Sequence, residues 1–339
     1  MVEEMTNQKI TVALIGAGFI GELHAKNLAR HADVALKYVV EPSEALGRKV
    51  ADATGARWLS DAAEAYEDSS VEAVWIASPA NTHTDFIRRA AKAGKAIFCE
   101  KPVGMNMEDV DVLVSELREY KQPILIGFNR RFDASHARLK EIVESGAIGE
   151  VEMVSITSRD PNPPPPAYMK ATPGGIFYDT MIHDFDIARW VLGVEATEVY
   201  ATASSHINGE LNPDREYDAA TATLKTTSGA VCQVSASRRA VYGYDQRIEV
   251  FGSKGMVQSQ NHGKTNVKVY GADAIRTDPL KNFFIDRYAD AYVREIDQFV
   301  GAVRGETTNF PNVWDGRQAL HISMEALKSA RSGSPVSLK

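Results

Sequence analysis

The 339-residue chain carries 38 Lys plus Arg against 45 Asp plus Glu, a formal charge of −7. That balance argues against nucleic acid or an anionic membrane surface as its main partner. Its 44% hydrophobic and 24% charged residues are those of an ordinary globular protein, long enough for two domains. Cys99 and Cys232 lie far apart in apolar runs, which excludes a disulfide framework and a CxxC metal knuckle. No run approaches the roughly 20 apolar residues of a membrane span. The polar, acidic start predicts no targeting peptide, so a soluble cytoplasmic protein is expected.

From Thr11 to about Gly127 apolar runs alternate with helical periodicity. Candidate strands are ITVALI (10–15), VALKYVV (34–40), VEAVWIAS (71–78), AIFCE (96–100) and PILIGF (123–128). Several are apolar at consecutive positions, as in strands covered on both faces. Helical segments between them include FIGELHAKNLARH and HTDFIRRAAKAG. The alternation predicts α/β architecture, a Rossmann-type doubly wound parallel sheet over residues 1–128.

Strand-like runs dominate afterwards: VEMVSITSRD, ATEVYATAS, DAATATLKT, AVCQVSASRR and QRIEVFGS. Ser228-Gly229 and Gly252-Ser253-Lys254-Gly255 have hairpin chemistry. Residues 129–339 are therefore expected to form an α+β domain with a large, mostly antiparallel open sheet, one face of which a second subunit can cover. Pro161 and Pro163–Pro166 cannot lie inside a central strand and are placed in a stiff loop. Helices are expected near Ile285–Arg304 and Asp315–Ser332.

Three places carry chemistry. After the first strand come Gly16, Gly18 and Gly21, in the order G-A-G-F-I-G. In a strand–turn–helix context such glycines permit the tight turn, the backbone's approach to a pyrophosphate and close helix–strand packing. Glu41 ends the second strand about twenty residues later, where a carboxylate binds ribose hydroxyls and repels a 2′-phosphate, which favours NAD over NADP. Second, Glu100-Lys101-Pro102 follows the fourth strand, and a lysine at the carboxyl end of a parallel strand points into the ligand crevice. Its ammonium suits the stabilisation of developing alkoxide charge. Third, Asp179 and His183 are four apart in Gly174–Asp186. On one helix they share a face with Asp186 and Trp190, and a carboxylate beside an imidazole suits a general base. The polar sets Asn129-Arg130-Arg131, Ser158-Arg159-Asp160 and Tyr242–Asp245 suit a polyhydroxylated substrate or exposed loops equally. The histidines show no ligand spacing with cysteine or one another, so no metal is expected.

Taken together, A-L-I-G-A-G-F-I-G (13–21), S-P-A-N-T-H (78–83), E-K-P (100–102) and G-F-N-R-R-F-D (127–133) resemble the oxidoreductase family named after glucose–fructose oxidoreductase, inositol dehydrogenase and rhizopine catabolism proteins. The resemblance runs from Ile10 to Ser332. S-R-D-P followed by prolines, then G-G-I-F-x-D-x-x-I-H-D-F-D-x-A-R, resembles inositol 2-dehydrogenases. It implies NAD-dependent oxidation of a cyclic polyol, most simply myo-inositol to 2-keto-myo-inositol. It also implies catalytic roles for Lys101, Asp179 and His183. Cofactor contacts are implied at Gly16, Gly18, Phe19, Ile20, Gly21, Glu41, Ser78, Pro79, Asn81, His83, Glu100 and Lys101. Substrate contacts are implied at Lys101, Arg131, Asp160, Asp179, His183 and Tyr242, along with a homotetramer built through the second domain's sheet. Other inositol isomers, a pyranose sugar, or glycoside cleavage by transient oxidation with bound NAD are the competing chemistries. A non-catalytic dinucleotide sensor would lack the lysine or the histidine.

Overall fold

The computed structural model describes residues 8–165, 174–207 and 217–338. The chain divides into two compact units. One holds the chain up to Phe128 together with Tyr292–Arg317, and the other holds Asn129–Ala291 with the chain from Gln318. Residues 292–317 thus correct the sequence-based boundary, which had assigned them to the second domain.

In the first unit, six strands form a wholly parallel sheet. They are β1 (Ile10–Ile15), β2 (Val34–Val40), β3 (Arg57–Leu59), β4 (Ala73–Ile76), β5 (Ala96–Glu100) and β6 (Ile124–Gly127). Their order is β3-β2-β1-β4-β5-β6. The order reverses beside β1, and in such sheets ligands bind at the carboxyl ends of the strands flanking that point. Helices α1 (Phe19–Arg30), α2 (Glu44–Thr54), α3 (Ala63–Glu67), α4 (His83–Lys92) and α5 (Met107–Glu116) fill the crossovers. Residues of β1, β4 and β5 are almost all buried because helices cover both faces. The returning segment explains its own placement. Phe299 stands edge-on to Trp75 at 5.4 Å, while Trp75 stacks on Phe98 at 3.6 Å. The Pro311 carbonyl accepts the Ile126 N–H, which occupies one donor on the outer edge of β6.

The second unit opens with α6 (Ala134–Glu144), whose N-cap Asp133 accepts from the N–H groups of Ser135 and His136 at 3.1 Å. Its sheet contains β7 (Val151–Arg159), β8 (Ala196–Ser204), β9 (Ala219–Thr226), β10 (Val231–Ser237), β11 (Asp245–Gly252) and β12 (Gly255–Ser259). Strands β13 (Lys268–Tyr270) and β14 (Ile275–Thr277) pair only with each other, and β15 (Val336–Ser337) completes the large sheet. Its order is β12-β11-β7-β10-β9-β8-β15, antiparallel at every joint except β7–β10. One face is apolar: Val250, Val154, Cys232, Leu224 and Val199 lie in register across five strands, all buried. Helices α7 (Gly175–Asp179) and α8 (Met181–Leu192) supply Ile176, Phe177, Met181 and Phe185 to the same core. On the other face Met256, Phe251 and Met153 form an exposed row that continues through Val231 to the Lys225–Glu198 ion pair.

Candidate active site

In the first unit the glycine turn follows β1 directly. Gly16 has φ +96°, and a Cβ there would lie 2.6 Å from the Ala77 carbonyl oxygen. At Gly21 a Cβ would lie 2.1 Å from the Gly16 oxygen, so this glycine lets α1 pack against the turn. Gly18 differs: a Cβ would meet nothing within 4 Å. Protein packing therefore leaves position 18 open, and the space is what a pyrophosphate needs beside the first-turn N–H groups of α1. Phe19 stands exposed at the start of that helix.

Glu41 follows β2, the neighbour of β1. Its Oε2 accepts the Ala17 N–H at 3.0 Å and its Oε1 the Ser43 N–H at 3.1 Å. A carboxylate has about four acceptor sites, so two remain for ribose hydroxyls. Trp58 donates to the Glu41 carbonyl at 2.9 Å and fixes the strand end. The open position at Gly18 and the acid held beside the turn together fit NAD.

The loops after β4 and β5 are tied together by one imidazole. His83 is buried, with Nδ1 2.7 Å from the Pro102 carbonyl and Nε2 2.9 Å from the Ser78 carbonyl. Burial lowers its pKa, against the pull of the two carbonyls. His83 thus ties the loop after β4 to the loop after β5 through both ring nitrogens. Ser78 and Thr82 share a hydroxyl contact at 2.7 Å, and Pro79 and Asn81 stay exposed.

Glu100 also faces inward. Its Oε1 lies 2.7 Å from Nε2 of the buried His24, and its Oε2 accepts the Lys101 N–H at 3.2 Å. Glu100 therefore braces the lysine's backbone. Burial, with the Glu100 charge added, holds the nearby Glu295 carboxyl well above the usual range. Neither His24 nor Glu295 stands out locally in the sequence, because their surroundings come from α1 and residues 292–317.

The second unit presents the Gly174–Asp186 segment. Gly174 and Gly175 take φ +82° and +54°, a conformation that turns the chain into α7. The expected single helix is broken at Thr180. That residue keeps right-handed angles (φ −95°, ψ −56°), so positions 179 and 183 remain about one turn apart. Over residues 175–189 only Tyr178, Asp179 and His183 are part-exposed. Of the face that Asp179, His183, Asp186 and Trp190 were expected to share, Asp186 is therefore withdrawn from solvent. Asp186 is buried and takes both arms of Arg131, at 2.8 and 2.5 Å, with the guanidinium 5.9 Å from the Trp190 ring. Arg131 thereby braces the buried Asp186 carboxylate.

Further ion pairs surround this segment. Arg130 binds Asp184 and also donates to the Ser158 hydroxyl at 3.1 Å. Burial pushes Asp184 up to about 6 against the pull of Arg130, so the pair is ionic at neutrality. Burial likewise pushes Asp160, just past β7, up to about 6. Arg287 binds Asp133 and, against burial, holds its carboxyl down to about 2. The Tyr242 hydroxyl donates to Asp245 at 2.7 Å and accepts from Arg159 at 3.3 Å. Arg238, which nothing in the sequence singles out, is fully buried with Nη2 3.3 Å from Asp179 Oδ2. Among the described residues no group of three His, Cys, Asp or Glu side chains could hold a metal, and no helix is long and apolar enough to cross a membrane.

A nucleotide cradle on a parallel sheet, followed by a mixed sheet whose end gathers ionised side chains, defines an NAD-dependent oxidoreductase of two units. Residues 10–128 match the oxidoreductase family with an NAD-binding Rossmann fold, and residues 136–258 match the GFO/IDH/MocA C-terminal domain. The chain is 42% identical over 330 residues to the inositol 2-dehydrogenase of Rhizobium meliloti, covering 97% of this chain and 99% of the relative. The solved myo-inositol dehydrogenase of Corynebacterium glutamicum superposes with TM-score 0.92 at 37% identity, over 98% of this chain and 99% of that one. The myo-inositol dehydrogenase of Lactobacillus casei, solved in complex with NAD(H) and myo-inositol, gives TM-score 0.89 at 26% identity over 98% and 97%. The chain belongs to the Gfo/Idh/MocA oxidoreductase family.

Proposed function

We propose that the protein oxidises myo-inositol at C2 to 2-keto-myo-inositol with NAD. The observation that carries this reading is the part-exposed Asp179 and His183, one turn apart in a segment that apart from them and Tyr178 is buried, in a chain with an NAD cradle. The full-length likeness to an inositol 2-dehydrogenase supports the choice of substrate.

Bound NAD supplies the hydride acceptor. His183 takes the hydroxyl proton as general base, and Asp179 orients the imidazole and raises its basicity. The Lys101 ammonium stabilises the oxyanion as it develops. Gly16, Gly18, Gly21 and the first turn of α1 at Phe19 and Ile20 hold the pyrophosphate, and Glu41 the adenosine ribose. Ser78, Pro79 and Asn81 line the nicotinamide side. Asp160 and Tyr242 contribute acceptors and donors for the ring hydroxyls. The exposed Met256–Phe251–Met153 row supports a homotetramer through the open sheet face.

NAD reduction across a panel of inositol isomers and hexoses, repeated with NADP, tests the reading. Myo-inositol with NAD is expected to give the highest kcat/KM. Activity with glucose alone, or with NADP alone, would overturn it. Lys101→Ala and His183→Ala are each expected to lower kcat by about 10²–10⁴-fold.

A further inference from the structure

Arg238 is the first residue beyond β10, and Asp160 is the first beyond β7, the strand that runs parallel to it. The Asp160 N–H donates to the Ser237 carbonyl at 2.9 Å, so the two side chains leave adjacent strand ends. Arg238 is 1% exposed. A guanidinium keeps its charge at any accessible pH and carries five donors. Of these, Nη2 reaches Asp179 Oδ2 at 3.3 Å, while Nε and Nη1 have no hydrogen-bond partner among the described residues. A buried cation of this kind is tolerated only where carboxylates face it.

Asp179 projects from α7 and Asp160 from the end of β7, and the charges that act on Asp160 are those of Arg130, Asp179, Arg238 and Asp184. Asp160 is the weaker claimant on the guanidinium. Burial, with the Asp179 charge behind it, pushes its carboxyl up against Arg130 and Arg238. Asp179 is the carboxylate that Arg238 actually bonds. The main-chain N–H of Arg238 donates separately to the Asp218 carbonyl at 2.8 Å, so the strand end is anchored without the side chain.

We infer that Arg238 is a positioning residue for the oxidation: its buried guanidinium fixes the Asp179 carboxylate in one orientation and keeps it anionic, so that Asp179 can hold His183 as a base. This inference rests on the assignment of Asp179 and His183 made above. Removing the Arg238 charge leaves Asp179 easier to protonate and the His183 imidazolium easier to keep. Both changes move the acid limb of the kcat/KM profile to higher pH.

A double-mutant cycle on the full-length enzyme with NAD and myo-inositol decides the matter. Asp179→Asn is expected to lower kcat by about 10²-fold or more. Arg238→Met in the native background is expected to lower kcat by about 10-fold and shift the acid limb upward, with KM for NAD unchanged. In the Asp179→Asn background the same change should alter kcat by less than about twofold. Arg238→Lys keeps the charge but not the planar fork, so it should lose about threefold in the native background and nothing further in the Asp179→Asn background. It replaces Arg238→Met in the cycle if that variant does not fold. Equal losses in both backgrounds, or an unmoved acid limb, would overturn the inference while leaving the base assignment intact. Near-normal turnover by Asp179→Asn would remove the assignment itself and the inference with it.

Discussion

The two units fasten their polar side chains in different ways. In the nucleotide-binding unit the key groups grip the main chain: Glu41 takes the N–H groups of Ala17 and Ser43, His83 lies between two carbonyls, and Glu100 accepts from the Lys101 N–H. In the sheet-bearing unit side chains grip one another, as Arg130–Asp184, Arg131–Asp186, Arg287–Asp133 and Arg238–Asp179. A main-chain grip shapes loops around a ligand whose phosphates and ribose are read by backbone geometry. A network of buried charges instead holds acids and bases in defined ionisation states, which proton transfer requires.

The largest expected effect exploits that difference directly. Arg130→Met leaves the Asp184 carboxylate buried without its cation, and urea unfolding should show a loss of about 3–5 kcal/mol. A loss below about 1 kcal/mol would mean that the second unit does not depend on paired charge. In the first unit the contrast lies between two glycines. Gly18→Ala meets no protein atom and should leave the melting temperature unchanged while weakening NAD binding by about 10-fold or more, measured by fluorescence titration. Gly21→Ala drives a methyl into the Gly16 carbonyl and should lower stability and NAD affinity together.

Protonation separates the units more gently. Asp160 sits near 6 when folded against an ordinary value of 3.8, so between those values the folded state holds more protons than the unfolded one. Its contribution therefore makes stability fall as pH rises from about 4 to 6. Asp160→Asn should flatten that slope in denaturation curves taken across the range, and an unchanged slope would contradict the placement. The smallest effect belongs to the open sheet face. Lys225→Ala breaks an exposed ion pair with Glu198 and should cost under about 1 kcal/mol in a monomer. A larger loss, accompanied by dissociation in light scattering, would mark that face as an interface.

Sequence pattern made the first unit legible because its demands are local. Strands β1, β2 and β5 fall on the residues that their apolar runs mark, and the glycine turn announces itself by spacing. β3 escaped because three residues on a sheet edge carry no readable alternation. The similarly short strands β13, β14 and β15 escaped for want of length too. In the second unit the spacing put Asp179, His183 and Asp186 on one helix face, but it carries no sign that Asp186 is buried against Arg131. The helix break at Thr180 and the depth of Arg238 have no local signal. An arginine is ordinarily exposed, and only a partner 59 residues away accounts for this one. Residues 292–317 were misassigned because their attachment depends on Phe299 meeting Trp75, a contact that no nearby sequence specifies.

The central claim is that a hydride leaves the C2 carbinol carbon of myo-inositol for NAD. Myo-inositol carrying deuterium at C2 tests it when incubated with the enzyme and NAD and followed by mass spectrometry. The account predicts one deuterium in the reduced dinucleotide for each 2-keto product formed. Unlabelled reduced dinucleotide, or deuterium lost to water, would contradict it.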